Sequence, residues 1–246
     1  MQNLVREMTT AKSNPRPNGK TGRGFTLIEM LVVVGIIAIL ASLLLPALAR
    51  AKAKANQTKC LNNIRQLDMA LTMYAADHDG EYPARRIQPN AWPQRLQPYY
   101  QDLHVLVCPG DRFPLFGGNP VNRPNRSYLI NAFNDYFQEN LKPNDYRKFT
   151  NWTWNHGMRE TAIPRPSETL VFGEKRTGSF HVHMDIDQGK RGNDFEEIDH
   201  VRHGHGSNFA FVDGSVRWLN KNAELYPENL WAVVDKYRIA PGQPKD

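Results

Sequence analysis

Glu29 is the residue whose chemistry is hardest to explain as ordinary structure. It lies near the start of an apolar run that reaches Ala49, and the twenty residues from Met30 to Ala49 carry no charge. A buried carboxylate needs a cationic partner, or it takes up a proton. A charge at membrane depth is costly, so an acid held there indicates a functional site. The chemistry open to Glu29 is therefore pairing with an amine or another cation.

Two cysteines offer a second kind of chemistry. Cys60 and Cys108 are the two cysteines in the chain. Both follow the apolar run, and a disulfide between them would persist outside the cytoplasm. Such a bridge would join the helix that contains Cys60 to the loop around Cys108. Two separate thiols are the alternative, which only geometry decides.

Histidines and aspartates in the C-terminal part suggest a metal site. His181 and His183 would share one face of a strand, which is a plausible arrangement for a ligand pair. No HExxH, CxxC or nucleophile-elbow spacing accompanies them, so we expect neither a metal nor catalysis; His181, His183, His203 and Asp213 remain the candidate ligands. If no metal binds, we expect Asp213 to be a turn residue and His203 to form a hydrogen bond with the backbone near a hairpin. The wider group is His181, His183, Asp185, Asp187, His200, His203, His205 and Asp213.

Calcium is the other cation to consider. The string Asp77-x-Asp79-Gly80 looks like a fragment of a calcium loop, but the twelfth position is Gln88 rather than glutamate. The EF-hand interpretation therefore fails. A turn that ends a helix is favoured, and we expect no cofactor, with calcium at a site of another type left open.

The apolar run has the length of a membrane span, since about 20 apolar residues cross a bilayer. It exceeds the core of a secretory signal peptide, which has about 7–15 residues, and no small-x-small cleavage site follows it. Residues 1–24 hold five of the 31 basic side chains and one of the 25 acidic ones, a net charge of +4 out of +6 for the chain. This distribution predicts a single span with a cytoplasmic N-terminus.

The helical pattern continues beyond the apolar run. Leu61, Ile64, Leu67, Leu71 and Tyr74 recur at steps of three and four residues, which predicts a helix over residues 26–78 with one face packed on a sheet. The helix should end near Asp77–Gly80.

Two further segments read as strands, at 169–172 and 180–184, before a hairpin with an Asp213-Gly214 turn. A two-residue turn would pair Phe211 with Val216 and Phe209 with Trp218. All four would then face the helix. The expected fold class is α+β: a long N-terminal helix on a small antiparallel sheet, with long loop insertions.

The interval 82–166 is rich in Pro, Asn and Gly, and it reads as a variable loop region with short elements at 103–107 and 128–130. Trp152 and Trp154 would serve as a carbohydrate platform there, although half-buried aromatic residues are the simpler interpretation. The body of the chain lacks a basic tract interleaved with aromatic residues, so we do not expect nucleic-acid binding.

The string Gly24-Phe25-Thr26-Leu27-Ile28-Glu29, with the apolar run after it, resembles the type IV pilin and type II secretion pseudopilin superfamily. The resemblance implies cleavage after Gly24 by a prepilin peptidase and N-methylation of the new terminus at Phe25. It implies that Glu29 pairs with the terminal amine of a neighbouring subunit. It also implies a role for Pro46, which predicts a kink or local melting near Ser42–Pro46. A start at Met8 instead of Met1 would shorten the leader.

The sequence His203, nine residues, Asp213-Gly214 resembles a C-terminal signature of pilin-like proteins in Planctomycetes, Verrucomicrobia and related bacteria. The expected organisation is a leader (1–24), a transmembrane and polymerisation segment (25–49) and a periplasmic or extracellular domain (50–246). Within that domain, 82–166 is the loop region and 169–219 is the sheet.

The resemblance implies a non-enzymatic subunit of a type II secretion pseudopilus or a type IV pilus-like fibre. Its expected partners are prepilin peptidase, other pilin subunits, the inner-membrane assembly platform and the membrane itself. A membrane-anchored carbohydrate-binding module is the alternative function, and a metal-dependent enzyme is a more remote one.

Overall fold

A computed structural model of the protein describes residues 24–87, 89–111, 121, 126–186 and 194–240. Most of the basic leader (1–23), Asp187 and Gln88 lie outside these residues. The chain divides between Ala47 and Leu48 into two compact units. Helix α1 (Leu27–Asp77) supplies the described structure of the first unit and continues into the second.

Helix α1 ends where the sequence predicts. The backbone N–H of Gly80 donates to the carbonyl of Ala75 at 2.8 Å. Asp79 and Gly80 both have positive φ, at 52° and 76°. This left-handed turn satisfies a carbonyl of the last helical turn, as is common at helix C-termini. The Asp77–Gly80 string is thus a helix end.

Five strands form one sheet in the order β3-β1-β2-β4-β5. Their bounds are Tyr128–Asn131 (β1), Leu170–Glu174 (β2), His183–Met184 (β3), Gly206–Phe211 (β4) and Val216–Asn220 (β5). The α+β class with a long helix on a small sheet is confirmed. The sheet is mixed rather than antiparallel, because β3 pairs with β1 in parallel.

One face of the sheet packs on α1. Ile64, Leu67, Leu71 and Tyr74 belong to one buried cluster that also contains residues of β1, β2 and β4. Leu61, the fifth residue of the predicted stripe, is only half-buried. The spacing of apolar residues therefore predicted this helix face well, because burial on a sheet needs the same three- and four-residue repeat.

The hairpin between β4 and β5 forms, but its register differs from the expected one by one residue. Ala210 pairs with Val216, and Phe209 pairs with Arg217. The loop has three residues, with Gly214 N–H donating to Phe211 O at 3.0 Å and Gly214 at φ +82°. A type I turn followed by a left-handed glycine gives this longer loop.

A shift of one residue moves every side chain to the opposite face. Phe209 and Phe211 therefore lie away from α1, in a second core with Trp231 and Tyr237. Val216 lies against the first core. The expectation that Phe209, Phe211, Val216 and Trp218 share the helix face is thus wrong. Residues 225–237, for which no element was predicted, cover this second face of the sheet and complete a core that also contains Leu129, Leu170 and Met184.

The described residues of the interval 82–166 include regular secondary structure. It contains helices α2 (Trp92–Tyr100), α3 (Asn134–Asn140) and α4 (Pro143–Thr150), as well as strand β1. Strand β1 lies inside the sheet, between β3 and β2. The short element predicted at 128–130 is thus strand β1, whereas helices α2, α3 and α4 were not predicted.

Candidate functional site

Gly24 and Phe25 precede the first turn of α1 in an open position. Phe25 is 66% exposed, and a Cβ added to Gly24 would meet no atom within 4 Å. The fold of the chain therefore does not require glycine at residue 24. A requirement for glycine there has to come from a molecule that binds this segment.

Thr26 and Glu29 form a reciprocal cap at the start of α1. The backbone N–H and the hydroxyl of Thr26 both donate to Glu29 Oε2 at 2.8 Å, and Glu29 N–H donates to Thr26 Oγ1 at 3.2 Å. This is a capping box, which satisfies N–H groups that a helix start leaves unpaired. Threonine and glutamate at this spacing thus have a structural role within one chain, which the sequence analysis missed.

The apolar residues that follow are exposed around the helix. Within the 18-residue window of highest hydropathy in α1, mean hydropathy is 2.9, and none of that window is buried inside the chain. This helix is the one among the described residues with the length and composition to cross a membrane. A surface of this kind needs cover from lipid or from other helices.

Pro46 lies inside α1, which is continuous from Leu27 to Asp77. The local melting expected near Ser42–Pro46 does not occur. Ser42 Oγ donates to the carbonyl of Ile39 at 2.7 Å, one turn before the proline. A single lost hydrogen bond is tolerated here because the rest of the ladder is intact. The assembly roles predicted for Glu29 and Pro46 remain predictions.

A disulfide joins Cys60 of α1 to Cys108, with 5.0 Å between their Cα atoms. Both side chains are fully buried. The bond ties the helix to the segment after a short 3-10 helix at Leu103–Leu106.

The His203, Asp213 and Gly214 signature is divided between two places. His203 Nε2 donates to Glu174 Oε1 at 2.8 Å, and the His203 side chain is only 3% exposed. Asp213 accepts from Ser215 N–H at 2.9 Å inside the hairpin turn. Asp213 is thus a turn residue, whereas the His203 side chain bonds a buried carboxylate instead of backbone.

The other metal candidates do not gather into one ligand set. His181 lies 3.2 Å from Asp194, and the hydrogen bond to that carboxylate raises the pKa of His181. His183 is buried beside the ring of Trp152. Among the described residues, one group of three or more His, Cys, Asp or Glu side chains is close enough to hold a metal ion. Its members are Cys60, Cys108, Glu174 and His203. Glu174 had no sequence signal, since its partner stands 29 residues away.

The two tryptophans of the expected carbohydrate platform are half-buried. The Arg85 guanidinium lies 3.5 Å from the centre of the Trp152 ring and forms a buried ion pair with Asp185 at 2.8 Å. Trp152 therefore has a packing role in the domain.

Comparison with known proteins places these features in a family. The prokaryotic N-terminal methylation motif matches residues 20–45. The type II secretion system core protein G of Klebsiella michiganensis is 35% identical over 117 residues, which cover 45% of this chain and 80% of the relative. That of Dickeya chrysanthemi is 30% identical over 141 residues, covering 55% and 89%.

A ComG operon protein 3 homolog of Bacillus licheniformis is 38% identical over 63 residues, covering 26% of this chain and 65% of the relative. No solved structure gives a significant match. The methylation motif lies on the exposed apolar helix start, and two protein G relatives match over most of their length. The chain therefore belongs to the type II secretion pseudopilin family and is a pseudopilin precursor.

Proposed function

We propose that a prepilin peptidase cleaves the Gly24–Phe25 bond and that the new amino group of Phe25 is N-methylated. The methylation motif at residues 20–45 is the observation that carries this proposal. The open position of Gly24 supports it, because the chain itself does not need glycine there. The mature subunit then joins a type II secretion pseudopilus or a type IV pilus-like fibre.

Glu29 sets the position of the incoming subunit. After cleavage it is the fifth residue of the mature chain, and its carboxylate accepts the Phe25 amine of a neighbour. In an apolar filament core this ion pair removes the cost of an isolated charge. The pair also favours one axial register between the two helices. Pro46 has a role in fitting neighbouring helices during assembly.

The precursor spans the inner membrane once, with its N-terminus in the cytoplasm. Support comes from the length of the apolar helix and from the net charge of +4 on residues 1–24. The domain that follows is periplasmic, or extracellular after assembly. The Cys60–Cys108 disulfide supports an oxidising compartment for it.

Its partners are a prepilin peptidase, other pilin or pseudopilin subunits and the assembly platform of the inner membrane. The role is structural rather than catalytic. The two protein G relatives are named as core proteins of a type II secretion system, which supports a structural role.

Two sets of variants test the proposal. Gly24→Ala should block cleavage, while Gly35→Ala, inside the exposed apolar helix, should not. Intact mass and N-terminal sequence of the protein from a host with a prepilin peptidase measure this directly. Equal cleavage of the Gly24→Ala variant and wild type contradicts the processing step.

The Glu29 series separates charge from capping. Glutamine also serves in a capping box, so Glu29→Gln keeps the cap and removes the charge. Both Glu29→Gln and Glu29→Ala should be cleaved and should fail to enter filaments, as judged by sheared-fibre fractions or crosslinking. If Glu29→Gln assembles like wild type, the ion-pair role is wrong.

A further inference from the structure

The two sulfurs of the disulfide lie beside a histidine and a glutamate, and the four side chains together offer four possible metal-ligand atoms. One ligand atom from each of Cys60, Cys108, Glu174 and His203 lies within 4.8 Å of each of the others. Both cysteines and Glu174 are fully buried. Two sulfurs, one imidazole nitrogen and one carboxylate oxygen form a donor set that suits tetrahedral Zn²⁺.

The geometry of the set is fixed by contacts other than the disulfide. His203 Nε2 lies 3.5 Å from Cys108 Sγ and 2.8 Å from Glu174 Oε1. Glu174 Oε2 accepts the backbone N–H of Asn208 at 2.9 Å. Glu174 is thus held by strands β2 and β4, and His203 is held by Glu174 and by its own backbone N–H, which donates to the carbonyl of Gly206 at 2.9 Å.

Gly110 shapes the other side of the set. Its backbone N–H lies 3.3 Å from Cys108 Sγ, and an added Cβ would lie 2.9 Å from His203 Cε1. An N–H directed at sulfur stabilises a thiolate as well as a disulfide. The close approach shows that a side chain at residue 110 would displace the imidazole from the sulfur.

A cavity of about 400 Å³ adjoins this set on the His203 side. His203, Gly204 and Gly110 line it, together with α1 and three cationic residues, Arg50, Lys54 and Arg202. An ion would therefore meet the imidazole first and the two sulfurs next. A path of entry is one of the requirements for metal loading.

We propose that the chain with Cys60 and Cys108 reduced binds one Zn²⁺ through both sulfurs, His203 Nε2 and Glu174. A thiol or phosphine reductant supplies two electrons, the S–S bond breaks, and the sulfurs take up two protons. Zn²⁺ then displaces those two protons and forms two Zn–S bonds. The imidazole proton moves from Nε2 to Nδ1, which frees the Nε2 lone pair. The disulfide and the zinc site exclude each other, so zinc binds the reduced chain alone.

Full-length protein in detergent, reduced with a phosphine and supplied with Zn²⁺, tests the proposal. Elemental analysis after removal of free metal should give one zinc per reduced chain and none for the oxidised chain. Co²⁺ in place of Zn²⁺ should give a thiolate-to-metal charge-transfer band. Zinc should also raise the Tm of the reduced chain.

His203→Gln and His205→Gln form the matched pair of variants, because His205 is exposed two residues away. Both keep the disulfide in the oxidised form, so both can be purified folded before reduction. His203→Gln should weaken Zn²⁺ binding by at least about 10-fold and change the Co²⁺ spectrum. His205→Gln should match wild type.

Three results overturn the proposal. One is equal zinc binding by the His203→Gln variant and wild type. Another is zinc bound equally by the oxidised chain. The last is a reduced chain that takes up no zinc, whether it stays folded or unfolds without recovery of its near-UV circular dichroism on zinc addition.

Discussion

Asp68 should make the domain less stable as pH rises, and Asp68→Asn should remove this effect. Asp68 lies on α1, is 5% exposed and faces the hairpin turn, where an added Cβ on Gly214 would be 3.7 Å from Asp68 Oδ2. Burial, together with the nearby charge of Asp213, raises the pKa of Asp68 to about 7. In the unfolded chain the pKa is about 3.9.

The sign follows from which state holds the proton. Between about pH 4 and pH 7 the folded chain keeps the Asp68 proton and the unfolded chain has lost it. The contribution of Asp68 to the unfolding free energy is therefore greatest below about pH 4, and it is lost as pH rises through about 7. The slope approaches about 1.4 kcal/mol per pH unit, for a total of roughly 4 kcal/mol as an upper bound.

The assay is urea unfolding of full-length protein in detergent from pH 4 to pH 8, followed by tryptophan fluorescence. The difference in unfolding free energy between Asp68→Asn and wild type should grow with pH in favour of the variant. Asp79→Asn is the matched control, because Asp79 is exposed near the end of the same helix and its left-handed backbone suits asparagine. A difference that stays flat with pH for Asp68→Asn refutes the reasoning.

Two further predictions concern the interior of the domain. Trp231→Ala should destabilise it by about 3–5 kcal/mol in the same assay, because Trp231 is fully buried with its ring centre 6.2 Å from that of Phe209; Trp218→Ala, at a half-buried position, should cost less. Asp185→Ala should cost about 3–5 kcal/mol, since it leaves the buried Arg85 guanidinium without its carboxylate. If Trp231→Ala or Asp185→Ala lowers the unfolding free energy by less than about 1 kcal/mol, the packing described for that residue is contradicted.

Local patterns in the sequence predicted the elements that depend on local chemistry. The stripe from Ile64 to Tyr74, the helix end at Gly80 and the Asp213-Gly214 turn each follow from a short repeat or a residue that tolerates positive φ. The hairpin register did not follow. A loop of two residues and a loop of three both fit Asp-Gly, and only packing of Phe209 against Trp231 selects the longer one.

Contacts between distant residues could not be predicted from spacing. Strand β1 lies in a segment whose composition is typical of loops. Its place inside the sheet depends on pairing partners that lie more than 40 residues further along the chain. Glu174 and His203 meet for the same reason. Their side chains carry no local pattern, so their proximity depends on the whole sheet.

The N-terminal helix segment differs from the domain in the partners of its carboxylates and in the cover of its apolar side chains. In the domain, Glu174 and Asp185 are buried carboxylates with partners in the same chain. In the segment, the apolar side chains are exposed, and Glu29 bonds only the start of its own helix among the contacts described. Lipid acyl chains can cover the apolar side chains, but they carry no cation for Glu29. If cleavage frees the Phe25 amine, as we propose, a second subunit would offer both, and assembly would gain an electrostatic advantage over the membrane only after that cleavage.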